Sequence, residues 1–279
     1  MKKLKKVFRK SVAGRRKKEY NVFINQIFGK VAEKGGKKMK NEKLRNAFVS
    51  ICLATASVCV SAQKKIIVLH YDFNKDSSTK VTDRSHSHAD ATLMNGAKTQ
   101  NGCLILDSPD AYLDMTKRAG EIISKLSDFT IYVRYYVDAS AEITGYGHFL
   151  YCFSSLEANR DKEGPYHAYR INEQRCETSI GGYTQETGIQ VGKISELGRW
   201  ITVIFRQKNG YGELYIDGKL IGTESGFPEL KKIFAEAPAY NWMGRAPFNG
   251  DKYLTKTKID DFRIYNICIS DSQKARLLK

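Results

Sequence analysis

From Gln63 onward, short apolar and β-branched runs alternate with turn signals about eight to twelve residues apart. The clearest run is "DFTIYVRYYVD". Phe129, Ile131, Val133, Tyr135 and Val137 share one face, and Thr130, Tyr132, Arg134 and Tyr136 share the other. A period of two marks a strand with one buried and one wetter face. Strands are read in the same way from "KIIVLHYDF", "GCLILD", "AYLDM", "GHFLYCFS", "YHAYRIN", "TSIGGY", "RWITVIFRQ", "AYNWMGR" and "KIDDFRIYN". "YGELYIDGKLIG" adds a hairpin, because Asp217-Gly218 suits a two-residue turn that needs positive φ at both positions. Its pattern sends Leu214, Ile216 and Leu220 inward and Tyr215, Lys219 and Ile221 outward. Helical patterning is confined to a turn or two in "PELKKIFAE" and to "SDSQKARLL", where Ser270 and Gln273 suit a capping box. Antiparallel runs with no βαβ alternation predict an all-β fold, a two-sheet sandwich, with no internal repeat and no second domain after residue 62.

Charge changes this picture at one end only. The 279-residue chain carries a formal net charge of +16, but residues 1–62 hold 17 Lys and Arg against 3 acidic residues. The remainder holds 29 against 27, so the strand-rich part is nearly neutral and a phosphate-binding surface is not indicated. The basic leader, read as disordered or helical, divides in two. "MKNEKLRN" from Met39 is a basic n-region, "AFVSICLATASVCV" an apolar h-region, and a small-residue site ends at Ala62. The apolar run falls short of the roughly 20 residues that span a bilayer. A cleaved signal peptide over 39–62 is the expectation, with a periplasmic, cell-surface or secreted product. Residues 1–38 are then a basic extension or the result of a start assigned upstream of Met39. Val58 before Cys59 argues against a lipoprotein signal. The mature domain is expected over 63–279. Its cysteines, Cys103, Cys152, Cys176 and Cys268, allow three disulfide pairings in an exported chain. The apolar runs around Cys152 and Cys268 equally suit buried thiols.

Several ordered segments together carry a resemblance. "GRWITVIFR", "GELYIDGKLIG", "NWMGR" and "KIDDFRIYNICISDSQ" follow one another, preceded by "VLHYDFN", "VTDRSHSHADATLMNGA" and "CLILDSPDAYLDM". This series resembles the LamG-like jelly-roll family of the concanavalin A-like lectin/glucanase superfamily, over nearly all of residues 66–278. Asp261 stands where the family has Glu in its closing strand, which keeps a carboxylate there. The resemblance implies a two-sheet antiparallel jelly roll. It leaves activity open, because the fold hosts unrelated functions.

Glucanases of this fold carry a compact "ExDxxE" or "ExDxE" strand, with carboxylates about 5 Å apart for retaining hydrolysis. No such string occurs here. Lyases of the fold need grouped Arg, His and Tyr. "YHAYR" (Tyr166 to Arg170) and "GYGHFLY" (Tyr146, His148, Tyr151) supply those types at a spacing that matches no lyase motif. Asp260 alternates with Phe262 and Ile264, so its side chain is expected to face the core, where a carboxylate needs partners. Two readings stay open: backbone N–H groups of a neighbouring loop, or a structural Ca²⁺ held by Asp260 and Asp72, since calcium is common in LamG-like domains. Trp200 reads as core. Sugars are held by aromatic faces beside polar groups, and Tyr146, Tyr183, Trp242 and Arg245 are the candidate ligand-binding residues, placed together at the rim. The chain is therefore read as an exported, non-catalytic module that binds a polysaccharide or another glycan and is accessory to polysaccharide degradation. The alternatives are a domain of a glycoside hydrolase and an adhesion or scaffolding domain with a protein partner.

Overall fold

The computed structural model describes residues 66–155 and 164–279, all within the unit Ser61–Lys279. The predicted signal peptide, its cleavage site and the basic extension lie outside the described residues.

Two eight-stranded antiparallel sheets face each other. The first is built from β1 (Ile67–Tyr71), β4 (Lys98–Gln100), β5 (Cys103–Leu106), β7 (Phe129–Val137), β12 (Trp200–Lys208), β13 (Tyr211–Ile216), β14 (Lys219–Ser225) and β16 (Thr257–Tyr265). Its order is β14-β13-β12-β7-β16-β5-β4, and β1 pairs with the second half of β16. The second sheet is built from β2 (Lys80–Val81), β3 (Ala91–Met94), β6 (Tyr112–Asp114), β8 (Phe149–Ser154), β9 (Tyr166–Arg170), β10 (Arg175–Ser179), β11 (Glu186–Gln190) and β15 (Tyr240–Met243). Its order is β11-β10-β9-β8-β15-β6-β3-β2. Three helices complete the described unit: α1 (Thr116–Ile123), α2 (Leu230–Ile233) and α3 (Asp271–Leu277).

Alternation in β7 produces the core as read. Phe129, Ile131, Val133, Tyr135 and Val137 are all buried between the sheets with Tyr151, Phe153 and Tyr169 of the second sheet. His167 is buried among the Phe129, Tyr151 and Phe205 rings, with centroids 5.3–5.8 Å away. Its Nδ1 meets Thr178 Oγ1 at 2.8 Å. Burial pulls this imidazole down to about 3, so it is neutral in the fold.

The other face of β7 is wetter only in part. Thr130 and Tyr132 are buried, and α3 lies over that end of the first sheet. Ser270 caps α3 by the predicted box with Gln273.

Several expectations need correction. The strand read at "TSIGGY" lies earlier, at β10, and the glycines form a turn leading to β11, which the pattern had not shown. Helix α1 was also unread. It lacks a side-chain N-cap and an acidic first turn, and Thr116 enters it from positive φ. In the hairpin, Asp217 (φ 49°) and Gly218 (φ 78°) make the expected turn, but Leu220 points outward and is 46% exposed. Opposed residues in a two-residue hairpin share a face, so Leu220 follows Tyr215, while Ile221 packs on the core.

Asp260 corrects a second facing. Pairing shifts between Ile259 and Asp261, so a bulge separates Asp260 from the core positions Ile259, Phe262 and Ile264. Its carboxylate meets Arg134 Nη1 at 2.5 Å on the outer face. The buried, backbone-satisfied carboxylate is instead Asp83, in the "VTDRSHSHAD" turn. It accepts N–H from His70, Ser85 and Ala89 at 2.8–2.9 Å and O–H from Ser85 at 2.7 Å. Cys103, Cys152, Cys176 and Cys268 are all free thiols.

Candidate functional site

On the second sheet, strand alternation separates two populations. In β9, His167 and Tyr169 face the core, and Tyr166, Ala168 and Arg170 face outward. In β10, Cys176 joins the core while Arg175 and Glu177 face outward. The register sets Cys152, Ala168, Glu177 and Gly188 in one row across β8 to β11. Glu186 enters on β11 one diagonal step from Glu177, opposite Ser179.

These side chains line a pocket of ≈ 370 Å³. Phe149, Tyr166, Arg170, Arg175, Glu177 and Glu186 come from the sheet. Tyr146 precedes β8, Tyr183 lies in a 3₁₀ turn, and Phe248, Asn249 and Asp251 form a wall from the loop after β15. That wall sits close because Gly147 leaves room for it. A Cβ there would lie 2.4 Å from the backbone N and O of Lys252, at a φ of 98°. Phe248 packs against Phe149 and Tyr166, with centroids 5.6 and 5.0 Å away. Tyr146 and Tyr183 remain 67% and 61% exposed at the rim.

A chain of charges crosses the floor. Arg175 Nε approaches Glu177 Oε2 at 2.6 Å, and its Nη2 contacts Glu186 Oε2. Arg170 Nη2 lies 3.5 Å from Glu177 and 2.9 Å from Glu173. Tyr166 donates its hydroxyl proton to Glu186 Oε1. Glu177 is 1% exposed, and burial pushes its carboxyl up to about 8, against the pull of Arg170 and Arg175. Burial likewise holds the Tyr166 phenol far above its ordinary value, so it stays protonated as a donor.

The four predicted ligand residues divide into two groups. Tyr146 and Tyr183 line the pocket. Trp242 and Arg245 lie toward the other end of the same outer face, closed on themselves. The Arg245 guanidinium stacks 4.3 Å from Trp242, 4.0 Å from Tyr253 and 4.8 Å from Tyr112, and Trp242 is 8% exposed. Trp242 also bonds to Asp114, whose carboxyl burial raises. Of the lyase-like triplet, Tyr146 reaches the pocket, His148 is buried against Thr144 O, and Tyr151 is core. Trp200, read as core, is half-buried on the first sheet's outer face beneath Arg134. Asp72 and Asp260 are held by different arginines, Arg84 and Arg134. Among the described residues, no group of three or more His, Cys, Asp and Glu is placed to hold a metal ion.

From sequence, Tyr166 and Arg170 stand out only as lyase-type residues in "YHAYR", and both line the pocket. Arg175, Glu177 and Glu186 were missed as site residues. A signal was present: "YRINEQRCE" carries Arg175 and Glu177 at period two on the second arm of a short hairpin, with Arg170 opposite Arg175 on the first.

A family model described as the concanavalin A-like lectin/glucanases superfamily matches residues 108–273. No curated protein matches the chain. Among solved structures, the chain is similar to domain 4 of a GH43 extracellular arabinanase from Geobacillus stearothermophilus, in complex with arabinotriose. That match has 17% identity and TM-score 0.56, covering 76% of this chain and 98% of that one. It is also similar to Trypanosoma rangeli sialidase, at 16% identity and TM-score 0.52, covering 77% of this chain and 32% of that one. The binding domain of botulinum neurotoxin serotype D/C is similar at 15% identity and TM-score 0.56, covering 77% and 52%. The chain thus spans a third to half of the length of the latter two.

Proposed function

The chain belongs to the concanavalin A-like lectin/glucanase superfamily, and on that footing we propose that it is a carbohydrate-binding module whose site is the pocket over β8 to β11. The observation that carries this reading is the pairing of exposed tyrosines at the rim with fixed polar groups on the floor. Rings offer apolar faces to a pyranose or furanose, and the carboxylates and guanidinium groups fix the directions of its hydroxyls. The ion-pair network holds these groups in place before a ligand arrives, which lowers the ordering entropy lost on binding. A volume of ≈ 370 Å³ lies near the small end of ligand pockets, about 300–1,000 Å³, and suits a short stretch of sugar. Support from comparison comes from the arabinanase domain, a match along almost its whole length that was solved with arabinotriose. With the export signal read at residues 39–62, the module works outside the cytoplasm on polysaccharide, as an accessory to its degradation.

The test is retention of the full chain on a panel of polysaccharides and oligosaccharides. Binding to at least one glycan is expected, and the Y146A/Y183A double variant should weaken it at least tenfold with the fold intact. A folded variant that binds as well as the parent would remove the pocket from the account.

A further inference from the structure

The charge pattern of the pocket decides which kind of sugar it suits. Its two cationic side chains are both engaged by carboxylates. Arg170 meets Glu173 at 2.9 Å and Glu177 at 3.5 Å. Arg175 meets Glu177 at 2.6 Å, touches Glu186, and lies 4.0 Å from Glu173. Asp251 adds a further carboxylate to the lining. Capture of a sugar carboxylate calls for a guanidinium fork free to make two parallel N–H···O bonds. Here Arg175 turns Nε and Nη2 to Glu177 and Glu186, and Arg170 spends Nη2 on Glu173 and Glu177 with its Nε buried. The lining holds two cations against three acidic groups. Protonation of Glu177 brings the lining to balance and never to a positive surplus. A sugar acid would therefore have to displace a protein carboxylate from its arginine while meeting at least one more of its own sign. Neutral hydroxyls carry no such penalty, since they donate to Glu186 and Asp251 and accept from the arginines.

We infer that the pocket selects uncharged sugar residues and turns away those bearing a carboxylate, such as uronic and sialic acids. This rests on the glycan-binding reading and adds the substrate class to it.

The experiment is a glycan array probed with the full chain, pairing neutral oligosaccharides with counterparts that differ only by a terminal uronic or sialic acid. Neutral members should be retained, with the acidic partner of each pair at least tenfold weaker. Glu186→Gln and, separately, Asp251→Asn each remove one carboxylate from the lining and should narrow that ratio. Asp251→Asn carries the measurement if Glu186→Gln fails to fold. Acidic members bound as well as neutral ones would overturn the selectivity and leave glycan binding standing, as would an unchanged ratio in the folded variants. Retention of no glycan of either kind would overturn both.

Discussion

Each sheet turns toward solvent a face carrying arginines, carboxylates and tyrosines, and the two faces spend them differently. On the first sheet the groups close on one another. Arg134 lies 4.5 Å over Trp200 and pairs with Asp260. Arg263 pairs with Asp261 beneath Tyr132. Arg206 donates to the Tyr215 hydroxyl and to Ile269 O and pairs with Glu213, under the edge of α3. On the second sheet, the loop after β15 and the Tyr183 turn rise at the sides of β8–β11, so a similar set of groups lines a hollow. Both faces carry arginine–carboxylate pairs and aromatic rings. What separates a surface from a site is the wall, and the wall depends on backbone features such as Gly147.

The comparison can be broken first at what both faces share. Phe262 is fully buried against Tyr71 and Tyr151. Phe262→Ala should destabilise the fold by about 3–5 kcal/mol, the usual range for an aromatic truncated in a core. Chemical denaturation checks it, and glycan retention should fall only as the folded fraction falls.

Arg206 sharpens the contrast next. Its side chain is 10% exposed, and Arg206→Ala would strand a half-buried Glu213. Breaking a buried pair costs about 3–5 kcal/mol, and the exposure of Glu213 and Asp271 brings the expected loss to about 2 kcal/mol. Glycan affinity of the folded protein should not change.

pH dependence separates the pocket from the core. Glu177 is raised in the fold, so its contribution is fully present below about pH 4.5 and fades as pH rises through about 8. His167 is depressed, so its contribution is present above about pH 6.5 and is lost as pH falls through about 3. Denaturation midpoints taken from pH 3 to 9 should therefore decline at both ends. Glu177→Gln should flatten the alkaline decline alone, and His167→Phe the acid one.

The smallest expected effect is at Trp242. Because Arg245, Tyr253 and Tyr112 enclose it, Trp242→Phe should change glycan affinity by less than about twofold, read by titration calorimetry. A larger loss would extend the site along the whole outer face.

How much was legible follows from the reach of each signal. Period two in β7 and the Asp217-Gly218 turn are local, and the sequence alone located both. Bulges are not local. The facing of Asp260 depends on a register shift against β7, so alternation within β16 aimed it the wrong way. Tyr146 and Tyr183 were legible as aromatics beside loops, and both line the pocket. Glu177 and Glu186 lie on separate strands and converge only through the β10–β11 pairing, so a search for carboxylates within one strand passed over them. Grouping Trp242 with Tyr183 failed for a related reason. Arg245 and the two tyrosines fold back over the indole, a closure that strand periodicity does not encode.

The most direct test of the central claim is to map backbone amide chemical shifts of the full chain by NMR during titration with a neutral oligosaccharide that it retains. Perturbations should gather at Tyr146, Arg175, Glu177, Tyr183, Glu186 and Asp251, and leave Arg134, Trp200 and Asp260 unmoved. Shifts centred on the first sheet's face, with the pocket silent, would contradict it.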